Sequence, residues 1–186
     1  MPARTVRDYD HRVSDDGQVR WLDQAEMTAW LRLIAVSERL PGLLDSQLRR
    51  DSGLTHYEYQ VLAMLSDAPG RTLRMTQLGL QTNATLPRLS HVVRRLEDRG
   101  LVERTEAPED RRASNARLTD TGYAALAAAA PGHVTTVREL VLDPLSRTQV
   151  EALSDALGAI LRAVDPSGDA PRDVRGEPSD DGDPPA

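Results

Sequence analysis

The chain has 186 residues and no cysteine, with 23 basic against 29 acidic residues for a net charge of −6; this length holds one domain with tails, or one domain plus a dimerisation arm, and can bury a real core. The absence of cysteine excludes disulfides, thiolate metal sites and thiol redox sensing. No apolar run approaches the ~20 residues of a membrane span, and residues 1–20 are polar and mixed in charge, unlike a secretory signal, so the expectation is a soluble cytoplasmic protein with no membrane partner.

In chain order, residues 1–20 carry no periodicity and read as a flexible segment. From 21 to 50, Leu22, Ala25, Met27, Trp30, Leu31, Leu33, Ile34, Leu40, Leu43, Leu44 and Leu48 predict one long amphipathic helix. Pro41-Gly42 within it predicts a kink or a short break. Carrying two Trp near its start, this helix has more apolar surface than a small domain needs, which points to a subunit interface; an intrachain core is the alternative. Thr55 then reads as the N-cap of a helix, with Glu58 at the third position as in a capping box and Tyr59, Val61, Leu62 and Leu65 as its core face. Pro69-Gly70 ends that helix. Leu73, Met75 and Leu78 mark a short helix, and Gln81-Thr82-Asn83 turns the chain.

Residues 85–100 form the most organised stretch. Leu86, Leu89, Val92, Val93 and Leu96 make one apolar stripe, Pro87, Ser90, His91, Arg94 and Asp98 fall opposite, and Arg88 and Arg95 flank the outer face. Asn83 or Thr85 can cap the start, Pro87 tolerates only the first turn, and Gly100 stands where a left-handed C-cap is expected. Short helix, tight turn and longer helix make a helix-turn-helix pattern, with residues 85–100 as the DNA-reading helix. Residues 101–105 and 115–118 then read as two short strands around a polar loop containing Pro108 and Asp110-Arg111-Arg112, a hairpin of the wing type.

Thr119 caps the next helix, in which Pro131-Gly132 predicts a kink or break; Asp143-Pro144 is a firmer boundary. Ser146 caps a last helix with a stripe of Val150, Leu153, Leu157, Ile160 and Leu161. From residue 165 onward Pro, Gly, Asp and Ser dominate, the composition of a disordered tail. That tail holds seven acids against two arginines, a net −5, so the body of the chain carries only −1. Residues 71–117 hold ten arginines against six acids, a net +4, where DNA reading is placed. Every basic residue is Arg. Arg suits bidentate phosphate and guanine contacts, although a GC-rich genome is the simpler reason for the total absence of Lys.

The order of elements, with Arg95-Leu96-Glu97-x-Arg99-Gly100-Leu101-Val102, then Asp110-Arg111-Arg112, then Leu118-Thr119-x-x-Gly122, closely resembles the MarR family of bacterial transcriptional regulators over about residues 22–164. The resemblance implies a mainly α fold with a small β-hairpin, a winged helix-turn-helix with long N- and C-terminal dimerisation helices. The segments are then 1–20 (flexible), 21–53 (N-terminal dimerisation helix), 54–118 (DNA-binding lobe), 119–164 (C-terminal dimerisation helices) and 165–186 (acidic tail). It further implies a nucleoid-associated homodimer that binds a short, imperfect inverted repeat in double-stranded DNA, usually to repress a promoter.

By position, Thr85, Pro87, Arg88 and His91 match residues that approach DNA in the family, with Ser90 able to hold a phosphate and Arg88 the best candidate for a guanine. Arg112 matches the arginine that enters the minor groove, Asp110 the acid that orients it, and Arg111 lies between them. Arg95 is either a DNA contact or a structural residue; Arg94 and Arg99 read as solvated or paired with neighbouring acids. Members often release DNA when a small aromatic or anionic effector fills a cleft, which Met27, Trp30, Ile34, His56, Tyr57 and His133 can line, unless they are simply core. The four histidines are dispersed, and no phosphate loop, nucleophile elbow or paired carboxylates stand out, so no metal, cofactor or enzymatic activity is expected. The alternatives to a sequence-specific regulator are a winged-helix protein-interaction module and a non-specific architectural DNA binder.

Overall fold

The structure is a computed structural model that describes residues 19–165 apart from 108 and 109, and the backbone alone at 106, 107 and 110–113. Residues 1–18 and 166–186, which hold nearly all of the expected flexible segment and acidic tail, lie outside the described residues. The chain divides into two units, residues 1–43 and 44–186.

In the first unit the long helix α1 (Gln24–Ser52) begins three residues later than its apolar period suggests. Asp23 and Glu26 set that start reciprocally: Asp23 Oδ1 accepts from the Glu26 N–H at 2.8 Å, and Glu26 Oε2 accepts from the Asp23 N–H at 2.9 Å. Trp30, Leu31 and Val36 are each half or more exposed. The helix continues through Pro41, so of the kink or short break expected there the break does not form; a proline removes one ladder hydrogen bond without forbidding the helical path.

The second unit contains the end of α1, then α2 (His56–Asp67), a 3-10 turn (Pro69–Arg71), β1 (Thr72–Arg74), α3 (Met75–Gln81), α4 (Leu86–Asp98), β2 (Val102–Ala107), β3 (Asp110–Leu118), α5 (Asp120–Val137), a π-helical turn (Arg138–Leu142) and α6 (Arg147–Val164). The expected capping box opens α2, because Thr55 Oγ1 accepts from the Glu58 N–H at 3.0 Å and Glu58 Oε2 from the Thr55 N–H at 2.8 Å. Ser146 and Gln149 form a second box at α6. The hairpin gains a strand that periodicity did not show. The antiparallel order is β1-β3-β2, with both Leu73 and Arg104 opposite Ala116. Leu73, expected in a short helix, lies in β1, where pairing with β3 overrides local preference in a three-residue segment.

One core joins the end of α1, helices α2 to α5 and the sheet. Leu48, Leu54, Val61, Leu62, Leu65, Leu78, Leu89, Val93, Leu96 and Leu118 are fully buried, and Leu126 and Ala129 of α5 close it. The start of α5 explains the Leu118-Thr119-x-x-Gly122 pattern. Thr119 Oγ1 donates to the Gly100 carbonyl at 2.8 Å and accepts from the Gly122 N–H at 2.9 Å. A Cβ on residue 122 would stand 2.0 Å from the Leu101 carbonyl oxygen, so only glycine fits. Helix α5 runs unbroken through Pro131-Gly132, and its irregularity falls instead in the π turn. No residue of α6 is buried, and Leu157, Ile160 and Val164 of its apolar side are exposed. Among the described residues no helix is long and apolar enough to cross a membrane.

Candidate nucleic-acid interface

Helix α4 is set by its two ends. Asn83 takes a left-handed conformation (φ 49°) in the turn after α3, and the Ala84 N–H closes that turn on the Gly79 carbonyl at 3.0 Å. Asn tolerates this region better than most residues. Thr85 occupies the N-cap position in extended conformation, but its side chain makes no capping bond. Neither candidate cap therefore closes the helix start, and Pro87 in the first turn supplies the fixed φ that suits it. At the other end Gly100 has φ 69°, its N–H bonds to the Glu97 carbonyl at 2.8 Å, and the Leu101 N–H reaches the Leu96 carbonyl at 2.9 Å. This is the Schellman closure that glycine favours.

The helix divides cleanly between core and solvent. Leu89, Val92, Val93 and Leu96 are buried, while Thr85, Pro87, Arg88, His91 and Arg94 are exposed and Ser90 is half-buried. Leu86 departs from its expected place in the stripe: as the first helical residue it lies over the edge of α3 and remains 47% exposed.

The arginines sort by partner. Arg95 lies 2.8 Å from Glu58 Oε1 as an ion pair off the hydrogen-bond axis, Arg99 is 3.7 Å from the other oxygen, and the Glu58 side chain is almost wholly buried. Arg95, read as either a DNA contact or a structural residue, is thus paired to α2 while about half of its side chain stays exposed. Arg104 donates to the Ser90 carbonyl at 2.8 Å and pairs with Glu97 at 3.1 Å, fastening β2 to α4. Arg117 pairs with Glu103, and Arg71 with Asp120 at 3.1 Å while its guanidinium lies 4.0 Å above the Tyr123 ring. Arg88 and Arg94 have no acidic ion-pair partner among the described residues, so the exposed side of α4 presents two unpaired guanidinium groups, with the Asp98 carboxylate at its far end. In the hairpin, Asp110 opens β3 opposite Ala107, next to a register shift at Glu106/Ala107. The side chains of Asp110, Arg111 and Arg112, expected to form the wing contact, lie outside the described residues.

The expected effector residues fall in both units. Met27, Trp30 and Ile34 belong to the first unit and His56 and Tyr57 to the second. Tyr57 makes a 2.9 Å hydrogen bond to Thr82 Oγ1, and the Arg88 guanidinium lies 4.7 Å over its ring. His133 packs against Tyr59 with ring centroids 4.4 Å apart and against His56 at 5.7 Å, and its Nδ1 is buried without a hydrogen-bond partner. Burial lowers the pKa of both imidazoles below the ordinary value, His56 lowers that of His133 further, and Asp45 partly counters the shift at His56. Burial likewise raises the Tyr59 phenol. Among the described residues no group of three His, Asp or Glu side chains could hold a metal ion.

Two contacts escaped sequence reading: the double role of Glu58 and the Tyr57–Arg88 stack. The first had a signal. Glu58 shares a helical face with Leu62 and Leu65, and an acid on a core face needs a cation. The second joins residues on separate helices and had none.

A short helix, a tight turn, a longer helix with an exposed basic side and an adjoining antiparallel hairpin define a winged helix-turn-helix protein, a DNA-binding class. The MarR family profile matches residues 52–113. The crystal structure of Sco3205, a MarR family transcriptional regulator from Streptomyces coelicolor in complex with DNA, is 40% identical, covers 82% of this chain and 95% of its own, and superposes with a TM-score of 0.77. AbsC, another MarR family regulator from that organism, is 34% identical over 78% of this chain and 98% of its own, with a TM-score of 0.73. The HTH-type transcriptional repressor YetL of Bacillus subtilis is 26% identical over 88% of this chain and 97% of its own. The chain belongs to the MarR family of DNA-binding transcriptional regulators.

Proposed function

We propose that the protein is a repressor that binds a pseudo-palindromic operator as a homodimer. The observation that carries this reading is the two-sided character of α4, whose apolar side is buried while Thr85, Pro87, Arg88, His91 and Arg94 stand exposed with two uncompensated guanidinium groups. The DNA complex of Sco3205 and the repressor name of YetL support it.

In this reading the first turns of α4 enter the major groove. Arg88 reads a guanine, Thr85, Pro87 and His91 line the base edges, Ser90 and the unused N–H groups of the first turn hold phosphate, and Arg94 adds non-specific attraction. Asp110, Arg111 and Arg112 carry the wing to the minor groove. Arg95 serves the lobe through Glu58 before it serves DNA. The exposed apolar side of α6 and the exposed Trp30 and Leu31 of α1 are covered by a second copy, which sets two reading helices roughly 34 Å apart. A small aromatic or anionic effector would release the DNA in this reading.

The test is binding to DNA from upstream of the protein's own gene at physiological salt, with scrambled competitor. Protection of an inverted repeat, at least about a thousandfold tighter than scrambled DNA, is expected. Equal affinity for both, with a steep salt dependence, would leave only architectural binding.

A further inference from the structure

We infer that Tyr57, on α2 and outside the reading helix, is the positioning residue that determines how well Arg88 discriminates its base. The inference rests on the reading of Arg88 given above. A guanidinium recognises guanine through two parallel hydrogen bonds, so its plane and reach both have to be set before contact. Arg88 has a long, flexible side chain, and no acid among the described residues holds it. The Tyr57 ring supplies the missing constraint, lying 4.7 Å beneath the guanidinium, a distance at which the face of an aromatic ring attracts a cation.

The ring is itself fixed. Thr82 Oγ1 donates its single proton to the Leu78 carbonyl at 2.7 Å, which leaves the Tyr57 hydroxyl as donor in the 2.9 Å bond between the two side chains. Tyr57 is thereby attached to the last turn of α3, directly before the turn that launches α4. One phenol links three helices at the residue best placed to read a base. A stack of this kind leaves the hydrogen-bonding edge of the guanidinium free, whereas a carboxylate partner would occupy it.

The experiment measures binding of the full chain to its operator and to operators changed at one symmetric base pair at a time. It compares wild type with Arg88→Ala, Tyr57→Ala, Tyr57→Leu, Tyr57→Phe and the double variant Tyr57→Ala/Arg88→Ala. Arg88→Ala should relax discrimination at one position by about five-fold or more. Tyr57→Ala should relax the same position by roughly two- to ten-fold, leave the others within two-fold, and add nothing in the Arg88→Ala background. Tyr57→Phe, which keeps the ring, should hold discrimination within about two-fold of wild type. Tyr57→Leu fills the space without a π face and should behave as Tyr57→Ala, so it carries the comparison if the alanine variant does not melt cooperatively. A uniform loss at every sequence, or full additivity with Arg88→Ala, overturns the role of Tyr57 while the base-reading role of Arg88 stands. An unchanged profile in Arg88→Ala removes the reading of Arg88 and the inference with it.

Discussion

Helices α4 and α6 are built to the same plan and meet different fates. Each carries an apolar stripe at helical spacing, but Leu89, Val92, Val93 and Leu96 of α4 are buried by the lobe, whereas α6 buries none of its residues and leaves Leu157, Ile160 and Val164 exposed. A stripe in a sequence states that a helix has a side to cover; it does not state which chain covers it. The one is a folding element completed within the chain, the other an apolar surface that the described residues leave uncovered.

The largest effect should come from giving α6 a charge it cannot bury. Leu157→Arg with Ile160→Arg is expected to leave the lobe folded, halve the native mass in sedimentation, and drop operator binding by about a thousandfold, to the non-specific level. A dimer of unchanged mass would place the subunit interface elsewhere. In α4 the corresponding damage is internal: Leu96→Ala should cost about 2–5 kcal/mol in denaturant unfolding, independent of protein concentration once dimerisation is removed.

A smaller effect comes from pH and acts on α2 and α5, which pack beneath α4. Burial depresses the pKa values of His56 and His133, so the unfolded chain binds more protons than the folded one as pH falls below the ordinary value of 6.5. Stability is then fully present above that pH and declines as pH drops through 6.5 toward the lowered folded values. His133→Gln should flatten the slope of melting temperature against pH between about 7 and 5. An unaltered slope would assign the acid sensitivity to other groups. The smallest expected effect belongs to Arg94→Ala, a uniform weakening across DNA sequences with the salt slope reduced by about two, one for each subunit of the proposed dimer.

What was legible in the sequence was local. The Thr55/Glu58 box, the Thr119 and Ser146 caps and the Gly100 stop depend on residues within a few positions of one another, and each is formed in the structure. The start of α1 was equally local, in Asp23 and Glu26, but the apolar period drew the boundary to Trp21 instead. What was not legible depends on distance along the chain. Strand β1 exists because β3, some forty residues later, accepts it as a neighbour. Pro41 and Pro131 read as a kink or a break, and both lie within continuous helices, so neither is a break. In the candidate site the alternation of exposed and buried positions along α4 followed from periodicity, except at Leu86, where the helix end exposes a residue the period assigned to the core. The net charge of residues 71–117 was a poorer guide, because Arg71, Arg95, Arg99, Arg104 and Arg117 are engaged by acids and only part of the sum faces solvent uncompensated.

Glu58 closes the start of α2 with one oxygen and anchors Arg95 with the other. A carboxylate with two such duties makes the ends of two helices share one coordinate. Helix α4 cannot slide by a turn along its axis without withdrawing Arg95 from that carboxylate, so α2 and α4 are tied in register as well as in packing.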